Sequence, residues 1–238
     1  MLNTLKHFWP AIVCAVVALA FWDTPYVKPF RVFMVQVHEM CHAAATIGTG
    51  GEVLEVRVNW DESGHAKSRG GIFPVIASAG YVGSAFLGAI FIYVSLWPLL
   101  QRILLAGLGC LSIGVAVLYT PLGSIDFLFG LASGFLLLVP AILLPRVAQW
   151  VATWVGVMLC LYSLYDFRTD LWQYTERTDA GILARHWDAP ILAYPIALVW
   201  ALISVYAMYR SMKSVVRRGR VREARDVPQD DAASAGKE

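Results

Sequence analysis

The 238-residue chain has little charge: Asp, Glu, Lys and Arg make up 15% of it, against about 25% in an average soluble domain. Three stretches, 72–98, 103–125 and 127–144, contain none of these four residue types. Each stretch is long enough, or nearly so, to cross the hydrocarbon core of a bilayer as a helix of about 20 residues. The composition therefore excludes an ordinary soluble enzyme and indicates an integral membrane protein.

Cysteine chemistry and extramembrane structure are also missing. The four cysteines lie in apolar stretches without C-x-x-C spacing, which excludes a disulfide framework and a cysteine-type zinc site. No internal repeat is visible, and the polar part of the chain is too short for an extramembrane domain. We expect no cleavable signal peptide, because the first apolar run lacks a clean cleavage site.

These observations predict an all-α polytopic membrane protein with about seven transmembrane helices. The expected segments are roughly 8–22, 30–48, 72–98, 102–120, 126–144, 147–165 and 190–210. We expect residues 1–210 to form the membrane domain. Residues 211–238 should form a disordered tail that is first basic and then acidic.

Basic residues crowd the start of that tail: Arg210, Lys213, Arg217, Arg218, Arg220, Arg222 and Arg225. An excess of Lys and Arg marks the cytoplasmic side of a membrane protein, so we expect the tail in the cytoplasm. Topology anchoring accounts for the basic residues, and binding of anionic lipid headgroups remains open beside it. Nucleic acid is not an expected partner.

His38-Glu39-Met40-Cys41-His42 is an H-E-x-x-H motif within an apolar segment. Residues four apart lie on one face of a helix, so the two imidazoles can bind one zinc ion. The adjacent Glu39 can then act as general base toward a metal-activated water. The alternative is a pair of histidines bonded to neighbouring helices. Helical spacing turns Cys41 away from the histidine face.

Catalytic zinc normally has three protein ligands, so one ligand must come from elsewhere in the chain. Asp126 stands alone between apolar runs, where an unpaired carboxylate is costly. Asp166 ends the sixth segment, and Asp179 precedes the last one, where it could instead cap a helix. The remaining histidines are less favoured because they lie near chain ends or in loops: His7, His65 and His186.

Two further patterns flank the motif. Residues 52–59 alternate in part between apolar and polar, and a turn at 60–64 leads into a return strand at 65–69, which predicts a β-hairpin. Such a hairpin could hold an extended substrate at its edge or be a simple surface feature. Gly80, Ser84 and Gly88 recur every four residues, a small-residue face that we expect to pack on the motif helix.

The chain resembles the site-2-protease type of intramembrane zinc metallopeptidase, and most closely its compact bacterial and fungal B-like branch. The likeness runs from about residue 30 to residue 210. It rests on HEMCHAAAT from His38, GTGGEV from Gly48, SAGYVGS from Ser78, Tyr165-Asp166, Thr178-Asp179-Ala180 and Trp200. Typical members carry the metal-binding Asp in a Leu-Asp-Gly motif, whereas this chain has no Asp-Gly pair.

The resemblance implies zinc held by two His and one Asp, a Glu base, and hydrolysis of peptide bonds within or beside the membrane. On this basis His38, His42 and Asp179 are the expected ligands, with Asp126 and Asp166 as alternatives to Asp179. The expected partners are the lipid bilayer and a membrane-anchored protein substrate, and the expected location is a bacterial inner membrane. The oligomeric state is not predicted.

The first functional hypothesis is thus an intramembrane zinc endopeptidase. A catalytically degenerate membrane scaffold is the second, favoured by the missing Asp-Gly pair. A small transporter that uses the His, Glu and Asp side chains as a relay is the third. The H-E-x-x-H spacing favours the first, because a relay does not need two histidines four residues apart with a Glu beside one of them.

Overall fold

The computed structural model describes residues 2–172 and 178–226, without the side chains of 2–8, 166, 168–172, 220 and 222–226. Over these residues the chain forms eight α-helices, one two-stranded hairpin and one 3-10 turn at Pro190–Leu192. The elements in chain order are α1 Leu2–Ala20, α2 Lys28–Gly48, β1 Glu52–Val58, β2 Gly64–Arg69, α3 Phe73–Tyr93, α4 Pro98–Tyr119, α5 Ile125–Leu143, α6 Pro145–Trp172, α7 Asp179–His186 and α8 Ala193–Asp226.

Local sequence signals mark where the helices begin. Proline occupies the first turn of α2, α3, α4 and α6, where a backbone N–H has no helical partner in any case. Ser124 caps α5 by accepting a hydrogen bond from the backbone N–H of Phe127 at 3.3 Å. Thr178 caps α7 in the same way, accepting from the N–H of Gly181 at 3.1 Å. The cap at Thr178 makes Asp179 the first residue of α7.

Seven transmembrane helices are not confirmed, although each expected segment coincides with a helix. Within the described residues, five helices are long and apolar enough to cross a membrane, the last of them including the 3-10 turn: Phe73–Tyr93, Pro98–Tyr119, Ile125–Leu143, Pro145–Tyr165 and Pro190–Gly219. The apolar part of α1 is short, Trp9–Ala20. Helix α2 carries too many charged and polar side chains, and more than half of its residues are instead buried among the other elements. The chain is an integral membrane protein with a mainly helical fold.

The predicted hairpin is confirmed as an antiparallel pair, with Val58 opposite Gly64 and Glu52 opposite Arg69. Its expected alternation fails at Leu54. A bulge in β1 between Val53 and Glu55 inserts one residue, so that Leu54 is exposed while Val53 and Val56 are buried. These two valines pack on Ala43 of α2 and fasten the hairpin to the motif helix.

The basic tail differs from expectation. Disorder was expected from residue 211, whereas α8 continues from the membrane span to Asp226. Arg, Lys and Ala are good helix formers, and a helix already started in the membrane needs no new nucleus. The acidic stretch 227–238 lies outside the described residues.

A network of hydrogen bonds satisfies the buried polar side chain of Gln36 on α2. The Gln36 side chain donates to Ser112 of α4 at 2.8 Å and accepts from Ser133 of α5 at 3.2 Å. Ser112 also donates to the carbonyl of Gly130 at 2.8 Å. Since water is absent from the bilayer core, such buried groups need protein partners. The network holds α2 against the α4–α5 pair.

Candidate metal centre

Helix α2 presents His38 and His42 on one face, as the i, i+4 spacing requires. Their Nε2 atoms lie 3.1 Å apart, and their ring centroids are separated by 4.8 Å. His42 is buried, and His38 is packed edge-on against Tyr81 of α3 at 5.1 Å between ring centroids. Both imidazoles therefore point into the gap between α2 and α3.

Asp179 reaches the same point from the other end of the chain. Its Oδ2 atom lies 2.9 Å from His38 Nε2 and 3.1 Å from His42 Nε2. Helix α7 is docked by an apolar cluster in which Ala180 and Leu183 pack with Tyr81 of α3 and Trp200 of α8. Of the three carboxylates considered from the sequence, Asp179 is the one whose described side chain meets the histidines.

The tautomer of His42 follows from its second contact. His42 Nδ1 lies 2.7 Å from the backbone carbonyl of Ile76. A carbonyl oxygen only accepts hydrogen bonds, so Nδ1 carries the proton and Nε2 of the neutral ring is a lone-pair donor. That lone pair faces His38 Nε2 and the Asp179 carboxylate. Three ligand atoms converging in this way repel one another unless a proton or a metal cation lies between them.

The remaining candidates lie elsewhere. Asp126 pairs with Arg57 of the hairpin, with 2.5 Å between Oδ2 and Nε. This ion pair offsets the cost of a carboxylate that lies between two apolar runs. His65 is about half exposed on β2, and the His186 ring packs at a tilt against Phe73, with 4.6 Å between ring centroids. The side chains of Asp166 and His7 lie outside the described residues.

The site has the dimensions that zinc requires. Ligand atoms at the usual zinc bond lengths lie about 3.3 Å apart in a tetrahedral arrangement, close to the 2.9–3.1 Å separations found here. Space for an ion is kept open by Gly80, because a Cβ at this position would overlap Nε2 of both His38 and His42. The donor set and the open space both fit a zinc ion.

The predicted small-residue face is confirmed only in part. Gly80 does adjoin the motif helix, and a Cβ at Gly83 would lie 3.0 Å from the Cβ of Cys41. A Cβ at Gly88 would instead lie 2.9 Å from Leu159 of α6, so the expectation that this end packs on α2 is wrong. Helix α3 lies between α2 and α6, and its small residues serve both neighbours.

Glu39 lines a cavity of about 230 Å³ together with His38 and Asp179, two of the three candidate ligands. Helix α2 lines this cavity with His38 and Glu39, the hairpin with residues 62–64, and α3 and α6 with Tyr81 and Tyr162. Such a volume holds several water molecules at about 30 Å³ each. The cavity thus offers room for water next to the Glu39 carboxylate and two of the candidate ligands.

The hairpin turn closes one side of the cavity, which sequence reasoning missed. A Cβ at Gly64 would lie 2.7 Å from Glu39 Oε1. Next to it, Glu62 adopts a left-handed backbone with φ of 69°, and its carboxylate lies 3.0 Å from the guanidinium of Arg31. Burial raises the pKa of the Glu62 carboxyl above its ordinary value, while Arg31 opposes that shift. The sequence offered one signal for Arg31, because its helical spacing from His38 places both residues on the same side of α2. No local pattern marks Gly64 as a neighbour of Glu39.

The chain belongs to the Peptidase M50B-like family, whose model matches residues 11–211 and so spans α2, the hairpin and α7. This is the site-2 protease family, as the sequence resemblance predicted, and its members are zinc metallopeptidases. No curated protein and no solved structure matches the chain at a significant level. The chain is therefore a membrane protein of a metallopeptidase family, and it contains a His-His-Asp cluster.

Asp179→Asn should reduce zinc in the purified protein from about one ion per chain to a small fraction, because the amide keeps the size but removes the anionic oxygen that zinc prefers. Asp126→Asn is the matched control and should keep its zinc, since its carboxylate binds Arg57. Metal analysis of both variants, with Asp166→Asn as a third arm, measures this. The assignment is contradicted if Asp179→Asn keeps its zinc while Asp126→Asn or Asp166→Asn loses it.

Gly80→Ala should weaken zinc binding about 10- to 100-fold, the range seen when groups supporting metal ligands are changed. The added methyl displaces both imidazoles. Gly114→Ala is a matched helical control, because a Cβ there meets nothing within 4 Å, and it should bind zinc like the wild type. Zinc titration of both proteins tests the expectation, which fails if the two variants bind equally.

Proposed function

We propose that the protein is an intramembrane zinc endopeptidase that cleaves membrane-anchored protein substrates. In this proposal His38, His42 and Asp179 hold the metal and Glu39 is the general base. The observation that carries it is the convergence of three ligand atoms within 3.1 Å of one another beside a buried carboxylate that is not needed as a ligand.

The protein side chains supply positioning and proton transfer. When bound, zinc would contribute Lewis acidity, which makes a water nucleophilic near neutral pH and polarises a carbonyl. Glu39 takes the proton of the attacking water as the new C–O bond forms, and returns it to the amine nitrogen as the C–N bond breaks. The contact from His42 to the Ile76 carbonyl holds the imidazole in its ligand tautomer.

The form of the substrate is restricted by its own backbone. The peptide groups of a helix are hydrogen-bonded along its axis and surrounded by side chains. A transmembrane helix would therefore have to unwind locally before its peptide bond reaches Glu39 in the cavity. The hairpin offers an edge on which an extended segment can add as a strand.

The proposal places the tail in the cytoplasm, because basic residues are concentrated there. It places the protein in a bacterial inner membrane on the resemblance to the compact bacterial and fungal branch alone. The missing Asp-Gly pair still favours a degenerate scaffold as the second candidate, because the family's usual ligand motif is absent. A scaffold would retain the fold without cleaving, so activity and metal content together distinguish the two candidates.

Glu39→Gln should lower proteolysis by about 10²- to 10⁴-fold, the usual contribution of a general base, and should leave bound zinc unchanged. The measurement is cleavage of a co-expressed model membrane substrate, with zinc determined on the same preparation. Glu52→Gln, at an exposed glutamate of the hairpin, is the control and should cleave normally. Equal proteolysis by the wild type and Glu39→Gln would exclude the catalytic role.

Gly64→Ala should reduce cleavage by up to about 100-fold, the effect of misplacing a catalytic group by 1 Å, while zinc remains bound. The reason is the 2.7 Å approach of a Cβ to Glu39 Oε1. Gly48→Ala, whose Cβ meets nothing within 4 Å, is the matched control. Wild-type cleavage by Gly64→Ala would mean that the turn does not restrain Glu39.

A further inference from the structure

Away from the metal centre, Arg218 of α8 lies against two adjacent aromatic rings, whose centroids are 5.7 Å apart. Its guanidinium carbon lies 4.6 Å from the ring centroid of Tyr93 and 4.7 Å from that of Trp97, and Nη2 donates to the Tyr93 hydroxyl. The hydrogen bond to Tyr93 occupies one guanidinium N–H, and the remaining N–H groups of the fork can donate to an anion. The guanidinium is thus held in one orientation at the junction of α3, α4 and α8.

A cavity of about 530 Å³ opens beside this arginine. It is lined by Leu96, Trp97, Ser214, Arg217, Arg218 and Val221. Its size falls in the range of about 300–1,000 Å³ usual for small-ligand sites. Within the part of the chain that the structure describes, neither Arg217 nor Arg218 forms an ion pair with a carboxylate. The cavity therefore carries two positive charges without a counter-ion among those residues.

The position of the cavity identifies the kind of anion. Helix α3 ends at Tyr93, α4 begins at Pro98, and the apolar span of the last helix ends at Gly219. These ends of membrane spans meet around Trp97, and Trp and Tyr are enriched where a span meets the headgroup layer. Leu96 and Val221 add apolar surface at the rim, which suits a ligand with a charged head and apolar chains.

We propose that this cavity binds the headgroup of an acidic phospholipid, with its phosphodiester between Arg217 and Arg218 and the Ser214 hydroxyl as a further donor. Guanidinium groups bind phosphate through paired N–H donors, and basic clusters next to a span attract anionic lipid. The site is independent of the zinc centre and of catalysis. It gives two of the tail's basic residues a specific ligand beyond topology anchoring.

The test uses the full-length protein in neutral detergent, titrated with short-chain phosphatidylglycerol or phosphatidylcholine and measured by native mass spectrometry. The wild type should bind one phosphatidylglycerol in preference to phosphatidylcholine. Removing both charges in Arg217→Gln/Arg218→Gln should weaken binding on the order of 30-fold. Arg210→Gln/Lys213→Gln removes the same charge from side chains that contact Tyr206 and Tyr209 of their own helix and do not line the cavity. This variant should bind like the wild type.

Two further arms keep the result decisive if the double variant folds poorly. Arg217→Gln alone changes an exposed side chain and should weaken binding about 5-fold. Inorganic phosphate and glycerol phosphate should compete poorly, because they lack the apolar chains. The proposal is overturned by equal losses in the two double variants, by unchanged binding in Arg217→Gln, by no preference for phosphatidylglycerol, or by free phosphate binding as tightly as the lipid.

Discussion

The convergence of His38, His42 and Asp179 is the constraint on which the rest of the fold depends. Their ligand atoms lie 2.9–3.1 Å apart, a spacing that mutual repulsion opposes and a shared cation stabilises. To hold them, α3 must approach α2 without a side chain at Gly80, and α7 must dock so that its first residue faces α2. The small residues of α3, the cap at Thr178 and the apolar cluster around Trp200 all serve this geometry.

The second requirement is to accommodate a polar helix within a membrane protein. Helix α2 carries Arg31, Gln36 and Glu39 as well as the two histidines, and exposure of these groups to lipid would be costly. The structure surrounds them instead. Gln36 is satisfied by the serines of α4 and α5. Arg31 forms an ion pair with Glu62 of the hairpin turn through Nη2, while its Nε is buried without a hydrogen-bond partner among the described residues. The turn that pairs with Arg31 also adjoins Glu39, so one contact links helix burial to the organisation of the site.

Sequence reasoning captured what is local and missed what is distant. The i, i+4 histidine pair and the hairpin could be recognised because each depends on neighbours within a few residues. Asp179 lies 141 residues from His38 along the chain, and only the family resemblance ranked it above Asp126. The crowding at Gly64 is a tertiary effect with no local pattern, whereas the close approach of Gly80 to α2 was expected from the four-residue spacing of small residues in α3. The bulge at Leu54 interrupts the expected alternation of β1. In the basic tail the helix of the membrane span continues where composition alone predicted disorder.

The identity and ligands of the metal form the central claim, and zinc K-edge X-ray absorption on the purified wild-type protein tests it most directly. We expect a first shell of nitrogen and oxygen at about 2.0–2.2 Å from zinc, with the outer-shell scattering of two imidazoles. Bound zinc with a sulfur neighbour at about 2.3 Å, or with fewer than two imidazoles, would contradict it. A correctly folded protein that binds no zinc would do the same.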